Sequence, residues 1–398
     1  VIVAALGYFV DIYDLLLFGI VRVPSLENLG VDVNVAGSTI LNYQMIGLLL
    51  GGIIWGIFGD KKGRLSVLFG SILVYSLANI ACGFLPHFPK EHIVEIYAAL
   101  RFIAGIGLAG ELGAGITLVS ESLPKELRAI GTSIVAGFGL LGAVVAQLTV
   151  ELAGDWTIAY FVGGGLGLLL LFLRIGVVES GIYKDIQEKS DVQKGNFLLF
   201  FNNWNRFVKY IKCIAIGLPT WFCIGIFAFF GNQFAEPLGI KGELDPGLCI
   251  MWAYVGISAG DFASGFISHW LHSRKMAIFW MLVFTMIGVV LLVTGFATTA
   301  NGYYFFMGWL GLGTGYWAMF VTLGAEQFGT NIRSTAATTI PNMVRGSLPL
   351  MVLLYDYLKP DTGIINAAIV VGVIAFGLAI YSALTISETH NTDMDFVE

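Results

Sequence analysis

The apolar residues of this chain come in runs long enough to cross a lipid bilayer, and there are many of them. A helix needs about 20 residues to span the hydrocarbon core. Mostly apolar segments of that order lie near residues 3–22, 35–58, 64–85, 93–122, 130–150, 156–174, 210–230, 249–270, 276–296, 303–325, 334–356 and 364–386. Inside the bilayer no water satisfies main-chain groups, so such spans must be helical. Composition agrees: 57% of residues are hydrophobic and 12% charged, against about 25% charged in soluble domains. The expected fold class is an all-α membrane protein, with twelve transmembrane helices in two pseudo-symmetric six-helix bundles. The lipid bilayer is its first expected partner.

The longest polar stretch between spans, roughly Val178 to Lys209, divides them six and six. This gives a first bundle over 1–177, a cytoplasmic linker over 178–209 and a second bundle over 210–398. With both termini placed in the cytoplasm, 15 lysines and arginines fall on the inner side, and only Arg22, Lys90, Lys241 and Lys359 fall outside. That asymmetry is what the positive-inside rule demands. The net charge of −6 forms no basic patch, so nucleic acid is not an expected partner.

The two halves echo each other, as the halves of many transporters do. Glu121 and Arg128 follow span four, and Glu326 and Arg333 follow span ten, at the same separation of seven. Gly105, Gly107 and Gly110 have counterparts in Gly311, Gly313 and Gly315, and Gly63–Arg64 is echoed by Ser273–Arg274. The offset is near 205 residues.

Charges inside spans point to function, because each costs about 2.5–3.5 kcal/mol at the bilayer centre. Span one carries Asp11 and Asp14, three residues apart and so on one helical face. Two close carboxylates raise the pKa of one of them, which suits a proton carrier. Asp14 and Arg101 both lie about 12 Å below the outer edge by helical rise, which predicts an ion pair. Asp11 and Glu111 lie nearer the middle and are candidates for the mobile proton. In the second half Asp261 and Arg345 fall at matching depth. Either they pair, or Arg345 is free to bind a substrate carboxylate, assisted by Asn342 and by the helix-loosening Pro341 and Pro349. Gln147, Tyr13, Trp221, Trp309, Tyr316 and Trp317 are further candidates for substrate contact.

Other chemistries find little support. Cys82, Cys213, Cys223 and Cys249 have no metal-ligand spacing, and His87, His92, His269 and His272 lack carboxylate or cysteine partners at matching depth. No metal is expected, and no cofactor beyond protons as the coupling ion. There is no phosphate-binding glycine loop after a strand pattern, and no nucleophile and base with motif context, so an enzyme is not expected.

Between spans two and three the chain reads Gly59, Asp60, Lys61, Lys62, Gly63, Arg64. This resembles the G-x-x-x-D-x-x-G-R signature of the major facilitator superfamily. The resemblance implies that such loops latch the halves, with Arg64 able to pair with Glu121. It makes Asp60, Gly63, Arg64, Glu121, Arg128, Asp261, Glu326 and Arg333 the candidates for gating. Span one, with Gly7, Asp11, Tyr13, Asp14, Phe18 and Gly19, and span four, with Arg101, Gly105, Gly110, Glu111 and Gly113, resemble the metabolite:proton symporter family. Ala104, Ala109 and Leu112 stand where that family has glutamine, glycine and tryptophan. The resemblance implies a proton-coupled secondary transporter of a small polar metabolite (an organic acid, amino acid or other zwitterion), working as a monomer in a bacterial inner membrane. Two rivals remain: a facilitator or exchanger needing no proton, for which counterflow would survive without uphill uptake, and a non-transporting sensor, which would carry an appended cytoplasmic domain.

Overall fold

The computed structural model describes residues 2–62, 64–110, 125–175, 197–329 and 332–389, and side chains there except at 2–4, 59–65, 125–134, 136, 174–175 and 333–334. Among the described residues, fourteen α-helices account for the twelve spans. The first half holds α1 (Ile2–Leu29), α2 (Val33–Lys62), α3 (Arg64–Gly83), α4 (Ile93–Leu108), α5 (Lys125–Ala153) and α6 (Trp156–Ile175). The second holds α7 (Trp204–Phe222), α8 (Pro246–Leu271), α9 (Arg274–Val293), α10 (Ala300–Thr314), α11 (Trp317–Glu326), α12 (Arg333–Gly346), α13 (Leu348–Thr362) and α14 (Ile364–Thr385).

Two spans expected as single helices are broken. Span ten splits into α10 and α11 at Gly315 and Tyr316, where Gly315 packs directly on the backbone of Gly260. Span eleven splits into α12 and α13 at Ser347; Pro349, which has no N–H to donate, sits in the first turn of α13, where none is needed. Span seven begins earlier than expected, at Trp204, because the Asn203 side chain caps the helix by accepting from the Asn205 N–H (2.8 Å). Beyond Pro219 it continues as a π-helical turn, Cys223–Ala228. Seven described segments are long and apolar enough to cross a membrane by themselves. Spans ten and eleven are each cut in two, and α1 carries Asp11, Asp14 and Arg22.

Packing repeats between the halves. In the first, α1 packs on α5 and α6, α2 on α4, and α3 on α6; in the second, α7 packs on α12 and α14, α8 on α10, and α9 on α14. The repeated glycines explain the close approach. A Cβ on Gly105 would collide with the Gln44 carbonyl of α2, and one on Gly47 with the Phe102 carbonyl of α4. The equivalent collisions in the second half are Gly311 with the Ala253 carbonyl and Gly256 with the Gly308 carbonyl. Small residues let backbones touch where no hydrophobic force drives helices together. Gly311→Val should therefore force α8 and α10 apart at a cost of about 1–3 kcal/mol, seen as a lower melting temperature in detergent; an unchanged melting curve would contradict the packing.

At the end expected to be cytoplasmic, Arg274 at the start of α9 forms an ion pair with Glu326 at the end of α11. Ser273 caps α9 by accepting from the Met276 N–H (3.2 Å) and donates to Glu388, whose carboxylate also accepts from the Arg274 N–H (3.0 Å). By the 205-residue offset this pair is the counterpart of the expected Arg64–Glu121 contact. Gly63, Glu111 and Glu121 lie outside the described residues, as do the side chains of Asp60, Arg64, Arg128 and Arg333.

Candidate functional site

The halves meet chiefly along α5 with α8 and along α2 with α12. Glycines again set the distance: Gly137 faces the Phe262 ring, Gly52 faces Asn342, and Gly346 faces Leu49. Between these seams lies a small cavity lined by Tyr8 and Ile12 of α1, Leu140 of α5, Thr220 and Trp221 of α7, Tyr254 and Ile257 of α8, Trp317 of α11 and Arg345 of α12. Its free centre has room for no more than about one water molecule.

Arg345 is the cation of this cavity. It is buried, its guanidinium stands 5.9 Å from the centre of the Trp317 ring, and its one hydrogen bond is a long one (3.5 Å) from Nη1 to Asn342 Oδ1. Nε has no hydrogen-bond partner. The local fold explains its position: α12 ends one residue later, so Arg345 sits in a last helical turn, where a cation is favoured. Asp261 does not pair with it. One Asp261 oxygen instead accepts from the Ala318 N–H (3.1 Å), capping α11 just past the break in span ten. That break exposes helix N–H groups that must find an acceptor, and a single continuous span ten could not have shown this. Loss of a cap costs about 1 kcal/mol; Asp261→Ala should lower the melting temperature modestly, while Asp261→Asn should retain most of it.

A second polar cluster lies wholly within the first half. Arg101, fully buried, donates from Nε to Gln44 Oε1 (3.1 Å), from Nη1 to Asn79 Oδ1 (2.6 Å) and from Nη2 to the main-chain carbonyl of Asp14 (3.1 Å), with the Tyr160 ring 5.6 Å away. The expected Asp14–Arg101 pair is thus corrected. The guanidinium meets the backbone of Asp14, because Gln44 and Asn79 from α2 and α3 hold it in that register. The Asp14 carboxylate is turned toward Gly163 of α6, whose missing side chain makes room for it, and stays in electrostatic range of Arg101. Asp11 is also buried and lies in electrostatic range of Tyr8 and Tyr254, so it sits beside the cavity.

Other candidates fall elsewhere. Trp221 and Trp317 do line the cavity; Asn342 does not, but it accepts from Arg345 there and donates to the Ala109 carbonyl just past α4 (3.0 Å), across the halves. Trp309 stacks on Phe284 at 5.0 Å in an apolar groove among α8, α9 and α10. Tyr316 donates to the Ile216 carbonyl (2.9 Å) and Tyr13 to the Ala159 carbonyl (3.0 Å), each tying helices within one half. Aromatic residues in spans serve packing as readily as binding, and periodicity alone did not separate the two. Gln147 is at the end expected to face outside, where its amide donates to Glu151 (2.9 Å) of α5 and to Asp245 (3.3 Å) before α8. Burial holds the Asp245 carboxyl above its ordinary pKa despite donation from Gly247 and Gln147. Sequence reasoning missed Tyr8, Tyr254 and Thr220; for Tyr8 and Tyr254, spacings of three and seven from Asp11 and Asp261 on shared helix faces were the available signal. It also missed Arg22, counted there as a loop charge but buried inside α1.

A cavity between two repeated six-helix bundles, with buried charges and broken helices beside it, defines a membrane transporter. The family model of the Major Facilitator Superfamily matches residues 4–348, and the chain belongs to that family. It is 27% identical over 364 residues to a protein of Haemophilus influenzae assigned to metabolite transport, covering 86% of this chain and 84% of that one. It is 28% identical over 267 residues to the shikimate transporter of Escherichia coli, covering 61% of this chain and 60% of that one. The fold is similar to the crystal structure of a D-xylose-proton symporter, with a TM-score of 0.66 at 16% identity, over 96% of this chain and 95% of that one. The chain is an integral membrane protein of a transporter family.

Proposed function

We propose that this transporter moves a small carboxylate-bearing metabolite, an organic acid, amino acid or other zwitterion, together with protons by alternating access. The observation that carries the reading is Arg345: a buried guanidinium with an unpartnered Nε, in a cavity shared by both halves and walled by Trp221, Trp317, Tyr8 and Tyr254. A buried cation with one long hydrogen bond and an unpartnered Nε is costly, and a substrate carboxylate would offset that cost with charge-assisted hydrogen bonds. The aromatic walls suit a compact or planar apolar body. Shikimate, in the name of one relative, carries such a carboxylate.

The proton is assigned to Asp14, with Asp11 as its neighbour one turn away toward the cavity. Arg101 is already satisfied by Gln44, Asn79 and a carbonyl, so Asp14 can lose or gain a proton while that scaffold stays bonded. The loop charges support both termini in the cytoplasm, and the family resemblance supports a bacterial inner membrane as the setting. A thermal-shift screen tests the substrate class, since a ligand that binds the folded state raises its melting temperature. Among shikimate, benzoate, glycine betaine and neutral sugars as probes, at least one of the three carboxylates should stabilise the protein; stabilisation only by the neutral sugars would overturn the class.

A further inference from the structure

We propose that Arg22 is a latch between the two halves, and that its release is a required step in opening the transport path at the end expected to face outside. The inference is independent of which substrate is carried.

Arg22 lies near the end of α1, fully buried. Its Nη2 donates to the main-chain carbonyl of Phe229 (2.9 Å) and to Asn232 Oδ1 (2.8 Å), both in the second half, while Nη1 donates to the Val33 carbonyl (3.3 Å) at the start of α2. The guanidinium carbon stands 4.8 Å from the centre of the Phe230 ring. Phe229 directly follows the π-helical turn Cys223–Ala228, so its carbonyl is among those a helix end leaves without an intrahelical donor. A cation there is favoured by the helix dipole as well. Gly37 makes the site possible, because a Cβ at that position would press on Arg22 Cδ at 2.9 Å.

This arrangement differs from an ordinary buried arginine. Arg101 spends its donors inside one half and has no need to move when the halves part. Arg22 spends two hydrogen bonds across the halves, on the same side as Gln147–Asp245 and Gln233–Asn34 (3.0 Å). The Gln147–Asp245 bond reaches the exposed Asp245 and the Gln233–Asn34 bond is neutral and exposed, whereas the Arg22 side chain is a fully buried cation. Opening on this side must pull Nη2 off the Phe229 carbonyl and Asn232. The guanidinium makes these bonds while Nη1 stays on the Val33 carbonyl; a lysine ammonium, as a compact point charge, cannot hold both arms in that planar geometry.

Spin labels on Val35→Cys and Glu236→Cys, exposed positions on opposite halves, read the separation in proteoliposomes; the four native cysteines are buried. Arg22→Ala should raise the ratio of long to short distances by about tenfold or more, the scale of losing a charged hydrogen bond, and Arg22→Lys should fall between it and the parent. An unchanged distribution in folded Arg22→Ala would overturn the proposal. Should that variant fail to fold, Asn232→Ala, which removes one acceptor and leaves the charge in place, should shift the distribution the same way by a smaller factor. No shift there would likewise overturn it.

Discussion

Replacing Arg345 with glutamine is expected to abolish carboxylate transport while leaving the protein at least as heat-stable as before. The two halves of that result have one physical cause. In the closed arrangement the guanidinium makes one long hydrogen bond, to Asn342, and faces an aromatic wall. Removing a buried cation with so little compensation costs the fold nothing large and can stabilise it. The substrate loses its charged partner, and truncating one side of a desolvated charge pair costs about 2–5 kcal/mol, a fall in uptake of roughly thirtyfold to several thousandfold. Arg345→Lys keeps the charge without the fork and should recover part of the activity. Uptake assays with melting curves on the same preparations decide it. Near-normal uptake in Arg345→Gln would remove the residue from the binding site, and a collapsed melting temperature would make it structural instead.

The second large effect concerns coupling. Asp14→Asn should eliminate accumulation driven by a proton gradient and leave exchange of substrate across the membrane largely intact. The substitution is close to isosteric, and it preserves the main-chain carbonyl through which Arg101 holds α1. What it removes is a carboxylate set against Gly163 and within range of Arg101, a place where gaining or losing a proton changes the local charge balance. A neutral side chain fixes one state of that balance. Asp11→Asn, beside the cavity near Tyr8, is the companion variant. Driven uptake that survives both substitutions at the parental rate would end the proton assignment and favour a facilitator.

The large features of the fold were legible because they follow from solvent and length alone. Runs of apolar residues demand spans, and the 205-residue echo foretold matching helix pairs; the touching backbones at Gly105 and Gly311 are its physical basis. The Arg274–Glu326 pair joins two residues that the echo had matched to Arg64 and Glu121, although the sequence reading did not pair them. Depth arithmetic succeeded less well. It put Asp14 level with Arg101, as a pair, and Asp261 level with Arg345, either paired or leaving the arginine free; neither aspartate makes an ion pair with its arginine. For Asp261 the reason is a helix break that hydropathy does not register, since Gly315 and Tyr316 are no more polar than their neighbours. For Asp14 the reason is competition, as Gln44 and Asn79 reach Arg101 from helices whose rotation the sequence does not display. The aromatics divided the same way: Trp221 and Trp317 face the cavity while Trp309, a few residues away along span ten, faces the outer groove, and only the kink between α10 and α11 separates them.

Coupling of protons to a carboxylate substrate can be read directly in one experiment. Proteoliposomes containing the protein are given an inward proton gradient and a carboxylate chosen by the thermal-shift screen, and internal substrate and internal pH are followed together. The expected result is accumulation above the external concentration, with protons entering alongside substrate, and loss of both when the gradient is collapsed. Equilibration to equal concentrations on the two sides, with counterflow intact and no proton movement, would contradict it.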